Sequence, residues 1–531
     1  MSIRINNICL DLDEDMEKIK GKAAHKLKIS KESIVQLKIL RESLDARKKD
    51  NIKFNYSVEV LVDKEKKIAA AVRDKDIQIY EDIKEEPFIF GEKRLEARPV
   101  VVGMGPAGMF AALELARNGY RPLVLERGEA VEKRSETVNG FWETGELNLE
   151  SNVQFGEGGA GTFSDGKLTT RIKDRRCDKV LEEFVNCGAP EDIIYSSKPH
   201  IGTDILKIVV KNIRKEIIML GGEILFSHKL EDINIKDNKV KSIIANKTEI
   251  PCQALVLAIG HSSRDTYEML HNKNIFMEPK PFAIGVRIEH SRQMINSNQY
   301  GKYAEHPRLG AADYKLTHTC KSTGRGVYSF CMCPGGDVVA AASEENMLVT
   351  NGMSNYKRNS ANSNAAIVVA VNQGDFPGNS PLSGMEFQRY YEKLAFNIGG
   401  GRYSAPLQLT KDFLNDRITK KLGNVEPSYK PGYRFSDLRE CLPDYVCISL
   451  KEGLTEFNKK IKNYSDENSV LTGIETRTSA PVRLTRNEKL QSISVEGIYP
   501  SGEGAGFAGG IISAAVDGIK SAESIMKEYS A

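Results

Sequence analysis

The chain has 531 residues, 40% hydrophobic and 28% charged, an ordinary globular balance with length enough for about three domains. Its 75 basic and 72 acidic residues leave a net charge of +3, which excludes a global pull toward nucleic acid or membrane. Nine cysteines without a C-x-x-C pair exclude a zinc ribbon or a thioredoxin-type motif, and no apolar run reaches the roughly 20 residues needed to span a bilayer. The first residues carry no apolar stretch of signal-peptide length, and sparse cysteines fit a reducing compartment. A cytoplasmic protein without a membrane partner is expected.

Residues 1–95 read as a separate module. Ile3, Ile5, Ile8 and Leu10 mark a strand, and Met16, Ile19, Ala23 and Leu27 sit near helical spacing over 14–28. Val35, Leu37 and Ile39 alternate as a strand does, as do Tyr56, Val58, Val60 and Val62. Residues 64–73 predict a second helix and 77–80 a last strand. The order β-α-β-β-α-β predicts a ferredoxin-like α+β module. Between Arg41 and Lys53 lie Arg47, Lys48 and Lys49, diluted by Asp45 and Asp50. This reads as a solvated loop, with nucleic-acid or partner binding as the alternative. Residues 81–98, charged and holding Pro87 and Gly91, read as a linker.

From Pro99 the chain reads as α/β, with helices over 105–118 and 203–220 and strands at 100–102, 122–126, 224–226 and 254–259. The strand Val100 to Val102 runs into Gly103-Met104-Gly105-Pro106-Ala107-Gly108 and then a helix. This is the dinucleotide fingerprint: Gly103 for the tight turn, Gly105 for backbone approach to a pyrophosphate, Gly108 for close helix–strand packing. Glu126 ends the second strand, 18 positions after Gly108, where a carboxylate accepts ribose hydroxyls. The fingerprint alone does not separate FAD from NAD. Only one such unit occurs, so no second nicotinamide domain is expected.

Near the other end, Gly497 to Gly506 reads as a strand entering a tight turn, with Gly502 and Glu503 in it. Gly509, Gly510 and Ile511 open the following helix. This resembles the closing motif of the glutathione-reductase-like flavoproteins. The resemblance implies that Glu503 binds the ribityl chain and that the helix points its N-terminus at the flavin. Ala254 to Gly260 resembles the strand-Ala-Thr-Gly motif of that superfamily, with Ile259 in place of Thr. Further strings are Phe155 to Leu168, Ser329 to Gly336, Asn351 to Ser354, Glu475 to Arg483 and Ser43 to Lys49. Together they closely resemble a family of bacterial FAD-dependent dehydrogenases, nearer the fumarate-reductase-like branch, across essentially the whole chain.

The expected fold class is α/β: a Rossmann-like FAD-binding domain formed by residues 98–280 and 476–531, with an inserted α+β substrate or cap domain at 281–475. Six of the eleven positions from Gly156 to Gly166 are Gly or Ala, so this loop is expected against the cofactor rather than in solvent. Expected cofactor contacts are Gly103, Gly105, Pro106, Ala107, Gly108, Glu126, Arg127, Gly158, Gly159, Gly161, Thr162, Gly260, Gly502, Glu503, Gly509, Gly510 and Ile511. The resemblance implies FAD; NADH or NADPH and a protein donor stand as alternatives for the source of electrons.

Cys331 and Cys333 offer a redox partner for a flavin if their strand is regular, since residues two apart share a face. The competing and favoured reading is two apolar thiols in a core strand, because a C-x-C disulfide is sterically tight. Arg477 and Arg483 suit an anionic substrate or else a structural pair with Glu475 or Asp165. His261 follows Gly260 and is in reach of a cofactor, while His290 and His318 fall in the inserted segment. No metal spacing occurs. The function read from the sequence is two-electron transfer on a small molecule through FAD. A flavoprotein acting on RNA and a redox protein with structural FAD are the alternatives.

Overall fold

The computed structural model describes residues 2–72, 74–81 and 87–531. Strand Lys53–Val62 alternates buried and half-buried side chains along nearly its whole length, the signature of one face on a core and one toward water. It lies between Ser2–Asp11 and Ile34–Asp45, and Ile77–Tyr80 flanks the far side of Ser2–Asp11. Every pairing is antiparallel. Helices Lys18–Leu27 and Glu65–Val72 complete a split βαβ order. In the basic stretch, residues to Asp45 belong to a strand, Arg47 pairs with Asp45 and Lys53 with Asp11, and Lys48 and Lys49 are exposed.

The module does not hang from a tether. Its core is continuous with that of the inserted segment. Arg308 donates to the carbonyls of Leu12 and Glu14 and lies 4.6 Å over the Phe54 ring. Edge residue Glu42 exchanges backbone hydrogen bonds with Tyr195 and Ser197. The linker reading of 81–98 falls partly on 82–86, outside the described residues. Its later part is docked: Lys93–Arg94 pairs in parallel with Tyr529–Ser530, and Gly91 N donates to Met526 O at 2.8 Å.

The α/β layer is a five-stranded, wholly parallel sheet in the order Ile498–Pro500, Leu255–Leu257, Val100–Val102, Leu123–Glu126, Glu223–Phe226. These strands are short and almost entirely apolar, as sheets covered on both faces require. Helices Pro106–Arg117, Thr203–Met219 and Ile511–Glu528 pack together on one face. Against the other lies a three-stranded antiparallel sheet, Leu230–Lys236, Lys239–Ala245 and Thr248–Pro251. That small sheet was not expected from the sequence, because its strands are full of Lys, Asp and Glu.

The insertion is built on a seven-stranded sheet whose central strands, Phe282–Ser291 and Asn362–Val371, are buried along nearly their whole length. The chain enters it after Met277–Pro279 and leaves it before Val482–Leu484, and these two strands pair with each other. Among the described residues, no helix is long and apolar enough to cross a membrane.

Candidate functional site

Three carboxyl ends of the parallel sheet, the Gly156 to Gly166 loop and the underside of the inserted sheet enclose one cavity of about 440 Å³. Such clefts at the strand ends of α/β sheets are where ligands bind.

At one end the fingerprint turn provides bare backbone. Gly103 has φ +95°, and a Cβ there would stand 2.3 Å from Ala258 O. A Cβ on Gly108 would stand 1.9 Å from Gly103 O, so this glycine packs and does not touch the cavity. Gly105 is different: an added Cβ would meet only Gly159 Cα, at 3.7 Å. Gly105 caps helix Pro106–Arg117 and leaves its first-turn N–H groups facing the cavity. The Gly156 to Gly166 loop lies on this turn, with Gly158 N donating to Met104 O at 2.8 Å.

That loop is held by a residue sequence reasoning missed. Arg134 is fully buried, and its guanidinium donates to the carbonyls of Asn152, Val153, Glu157 and Gly159 at 2.6–3.0 Å. Burial pushes its pKa down to about 10. Glu126 also does more than end a strand. Its carboxylate accepts from the backbone N–H groups of Met104, Gly128 and Gly156 at 2.8–2.9 Å, tying three segments around the cavity wall. Arg127 lines the cavity, stacked 4.0 Å over Phe155 and paired with Glu150 and Asp265.

The second helix to reach the cavity is Ile511–Glu528, through Gly509, Gly510 and Ile511. Gly502 lies just behind the wall, φ +76°, its N–H on Asp517 at 2.7 Å. Glu503 faces the cavity, and burial pushes its carboxyl up to about 7 against the nearby Lys280 charge. Ser501 Oγ is buried, borders the cavity and has no partner in the protein. The bare glycine turn, two helix N-termini and an unpartnered hydroxyl fit the pyrophosphate and polyhydroxyl chain of an FAD. Gly159, Gly161, Gly260, Pro106 and Ala107 also line the wall, whereas Gly158 and Thr162 stand behind it.

Ionic pairs set the other end. Lys167 lines the cavity, lies 3.0 Å from Asp165 and donates to Met332 O. Asp165 is also held by Arg358 at 2.6 Å; burial opposes its ionisation, but Lys167 and Arg358 keep the carboxyl below its usual range. Arg287 forms a two-pronged pair with Glu475 and donates to Cys331 O at 3.0 Å. His261 lines the cavity, and burial together with Arg477 and Arg264 pushes its imidazole down to about 3. It is therefore neutral and acts there as a hydrogen-bonding group.

Three expectations change. Arg477 borders the cavity, but its nitrogens are committed to Glu392, Ser262 and Ser343. It belongs to a buried cluster with Arg264, Glu392 and Glu344, and neither Glu475 nor Asp165 is its partner. Arg483 is exposed on the returning strand, outside the cavity, with its guanidinium 5.4 Å from the Phe507 ring centre. The strand through Cys331 is not regular: pairing shifts register between Phe330 and Cys333, and Cys331 has φ +41°. Cys331 consequently lines the cavity, and Cys333 sits just behind it, fully buried.

Residues 281–478 match the family described as FAD-dependent protein, C-terminal domain-like, and residues 2–61 match a domain of unknown function. An uncharacterized protein of Clostridium beijerinckii is 62% identical over 100% of this chain and 99% of its own length. Thiamine thiazole synthase of Thermotoga maritima is 25% identical over 173 residues, 32% of this chain and 56% of that protein. Glycine oxidase from Bacillus cereus superposes with a TM-score of 0.30 at 10% identity, covering 81% of this chain and 97% of that one.

Proposed function

Because this chain belongs to the same family as its Clostridium beijerinckii relative, and carries the C-terminal domain of FAD-dependent proteins, we propose that it is an FAD-dependent oxidoreductase transferring two electrons to or from a small molecule. The observation that carries this reading is that two glycine-capped helix N-termini, Pro106–Arg117 and Ile511–Glu528, open into one cavity. Bound there, FAD supplies the two-electron chemistry.

The chain's own groups have separate tasks. The bare turn at Gly105 and the first-turn N–H groups after it receive the pyrophosphate. Ser501 Oγ and Glu503 face hydroxyl-bearing chain between the two ends; near neutrality Glu503 both donates and accepts, since its pKa is about 7. The N-terminus of Ile511–Glu528 favours negative charge beside it. At the substrate end Lys167 presents a positive charge that Asp165 anchors, and Asn351 and Phe330 complete the wall. An electron-poor or anionic small molecule suits that wall. NADH or NADPH, as donor, would dock over the flavin in the same cleft and compete with substrate.

The test is the visible spectrum of purified protein followed by anaerobic titration with NADH and NADPH. Yellow protein bleached by either donor is expected. A colourless protein that takes up no added FAD overturns the reading. Yellow protein that no donor and no light-driven reduction can bleach favours a structural flavin instead.

A further inference from the structure

Of the nine cysteines, all free, Cys331 is the one that lines the cavity among the described residues, and Cys333 is two residues along the same strand. We propose that Cys331 and Cys333 are a redox-active dithiol that exchanges two electrons with the flavin in the same cavity, a proposal that rests on the flavoprotein reading above. In the oxidising direction the two S–H bonds break and one S–S bond forms. The flavin takes both electrons and one proton, and the second proton leaves to solvent. The reverse step reduces the disulfide at the expense of reduced flavin.

Backbone geometry supports the pair. In a regular strand, residues two apart are separated by roughly 6.6 Å, near the upper limit of about 6.8 Å that a disulfide tolerates. The strand is broken here. Cys331 adopts φ +41°, a conformation L-residues rarely take, and the register shifts between Phe330 and Cys333. Such a break takes the two side chains out of the strict alternation of a regular strand. The Cys333 thiol hydrogen-bonds Cys331, its Sγ lying 3.3 Å from Cys331 O. Gly352 leaves that sulfur its room, since a Cβ there would stand 3.0 Å from Cys333 Sγ.

Electrostatics divides the labour. The hydrogen bond from Cys333, and after it the Lys167 and Arg287 cations, draw the Cys331 thiol well below its ordinary range despite burial. The bond to Cys331, and burial, raise the Cys333 thiol. The more acidic thiol is thus on the cavity side and the less acidic one behind it, as attack and release of a disulfide require. Strain of this kind in a backbone concentrates where function needs it.

Reductive titration and mass spectrometry of the full-length, FAD-loaded protein test the proposal. Air-oxidised wild type should consume four electrons per FAD under anaerobic dithionite, and Cys331→Ser and Cys333→Ala should each consume two. Alkylation and peptide mapping of wild type, which needs no variant, should find both thiols blocked before reduction and free after it. Yellow wild type that consumes two electrons, or alkylates at both positions while oxidised, overturns the dithiol and leaves the flavoprotein reading standing. Colourless protein overturns both.

Discussion

Arg477 Nη2 lies 3.0 Å from Glu392 Oε2, and the two side chains are 4% and 0% exposed. Burial opposes the Glu392 charge, but Arg264 and Arg477 hold its carboxyl down at about 2. The cluster joins helix Ser383–Ile398 to Arg264, at the start of the helix that follows the Gly260-His261 turn at the cavity, so it is a strut between the insertion and the α/β layer. Arg477→Ala leaves Glu392 with one cation and costs on the order of 3 kcal/mol. Denaturant unfolding should record that loss, while the substrate KM of the folded fraction stays near wild type. Unchanged stability with a raised KM would return Arg477 to a substrate-binding role.

The two fingerprint glycines should fail differently. A side chain at Gly105 meets little protein, so Gly105→Val is expected to fold normally and to hold at least tenfold less flavin. Gly108→Ala puts a carbon 1.9 Å from Gly103 O and should lose roughly 1–3 kcal/mol of stability. Flavin content and thermal unfolding of both variants decide the matter. Equal flavin content in wild type and Gly105→Val would remove the pyrophosphate from this turn.

Glu503 gives a pH signature. Its carboxyl, ordinarily at 4.5, is raised to about 7 by burial. An unfolded chain therefore releases this proton at lower pH than the folded one. The stability linked to it is present below about 4.5 and is lost as pH rises through 7. Between pH 5 and 8 the flavin-free protein should lose more stability than Glu503→Gln does. Parallel stability curves for the two would place the Glu503 carboxyl in an ordinary aqueous environment.

Removal of residues 1–92 should leave the cavity intact, since its wall begins at Val102, yet destabilise the rest. The module shares a core with the insertion, and Arg308 loses both carbonyls and its aromatic partner. A lower soluble yield and a melting point down by several degrees are expected, with normal flavin content per folded chain. A truncated protein as stable as the full chain would show that the shared core contributes nothing.

What could be read from the sequence follows from how local the physics is. Gly103, Gly105 and Gly108 act within a single turn, so spacing alone places them; the closing turn at Gly502 and Glu503 is similar. Arg134 was missed because its partners are carbonyls, which no side-chain pattern marks. Glu392 meets Arg477 across 85 residues of chain, so spacing gives no hint of it. The period-2 argument for Cys331 and Cys333 assumed a regular strand, and the bulge that removes this regularity is what turns Cys331 toward the cavity. Arg483 looked like a companion of Arg477, but the pairing of Val482–Leu484 with Met277–Pro279 carries it to the outer surface.

The docking of Arg308 on Phe54 has a consequence in time. The N-terminal sheet leaves the ribosome first, yet the surface that covers Phe54 and Leu12 follows about 250 residues later, which at 5–20 residues per second is on the order of 10 to 50 s. Throughout that interval the flank of the sheet around Phe54 and Leu12, which Arg308 covers in the finished protein, lacks its cover. Slowing elongation downstream of the sheet therefore prolongs the window in which nascent chains can stick to one another, and speeding it shortens that window, even though neither change touches the finished protein.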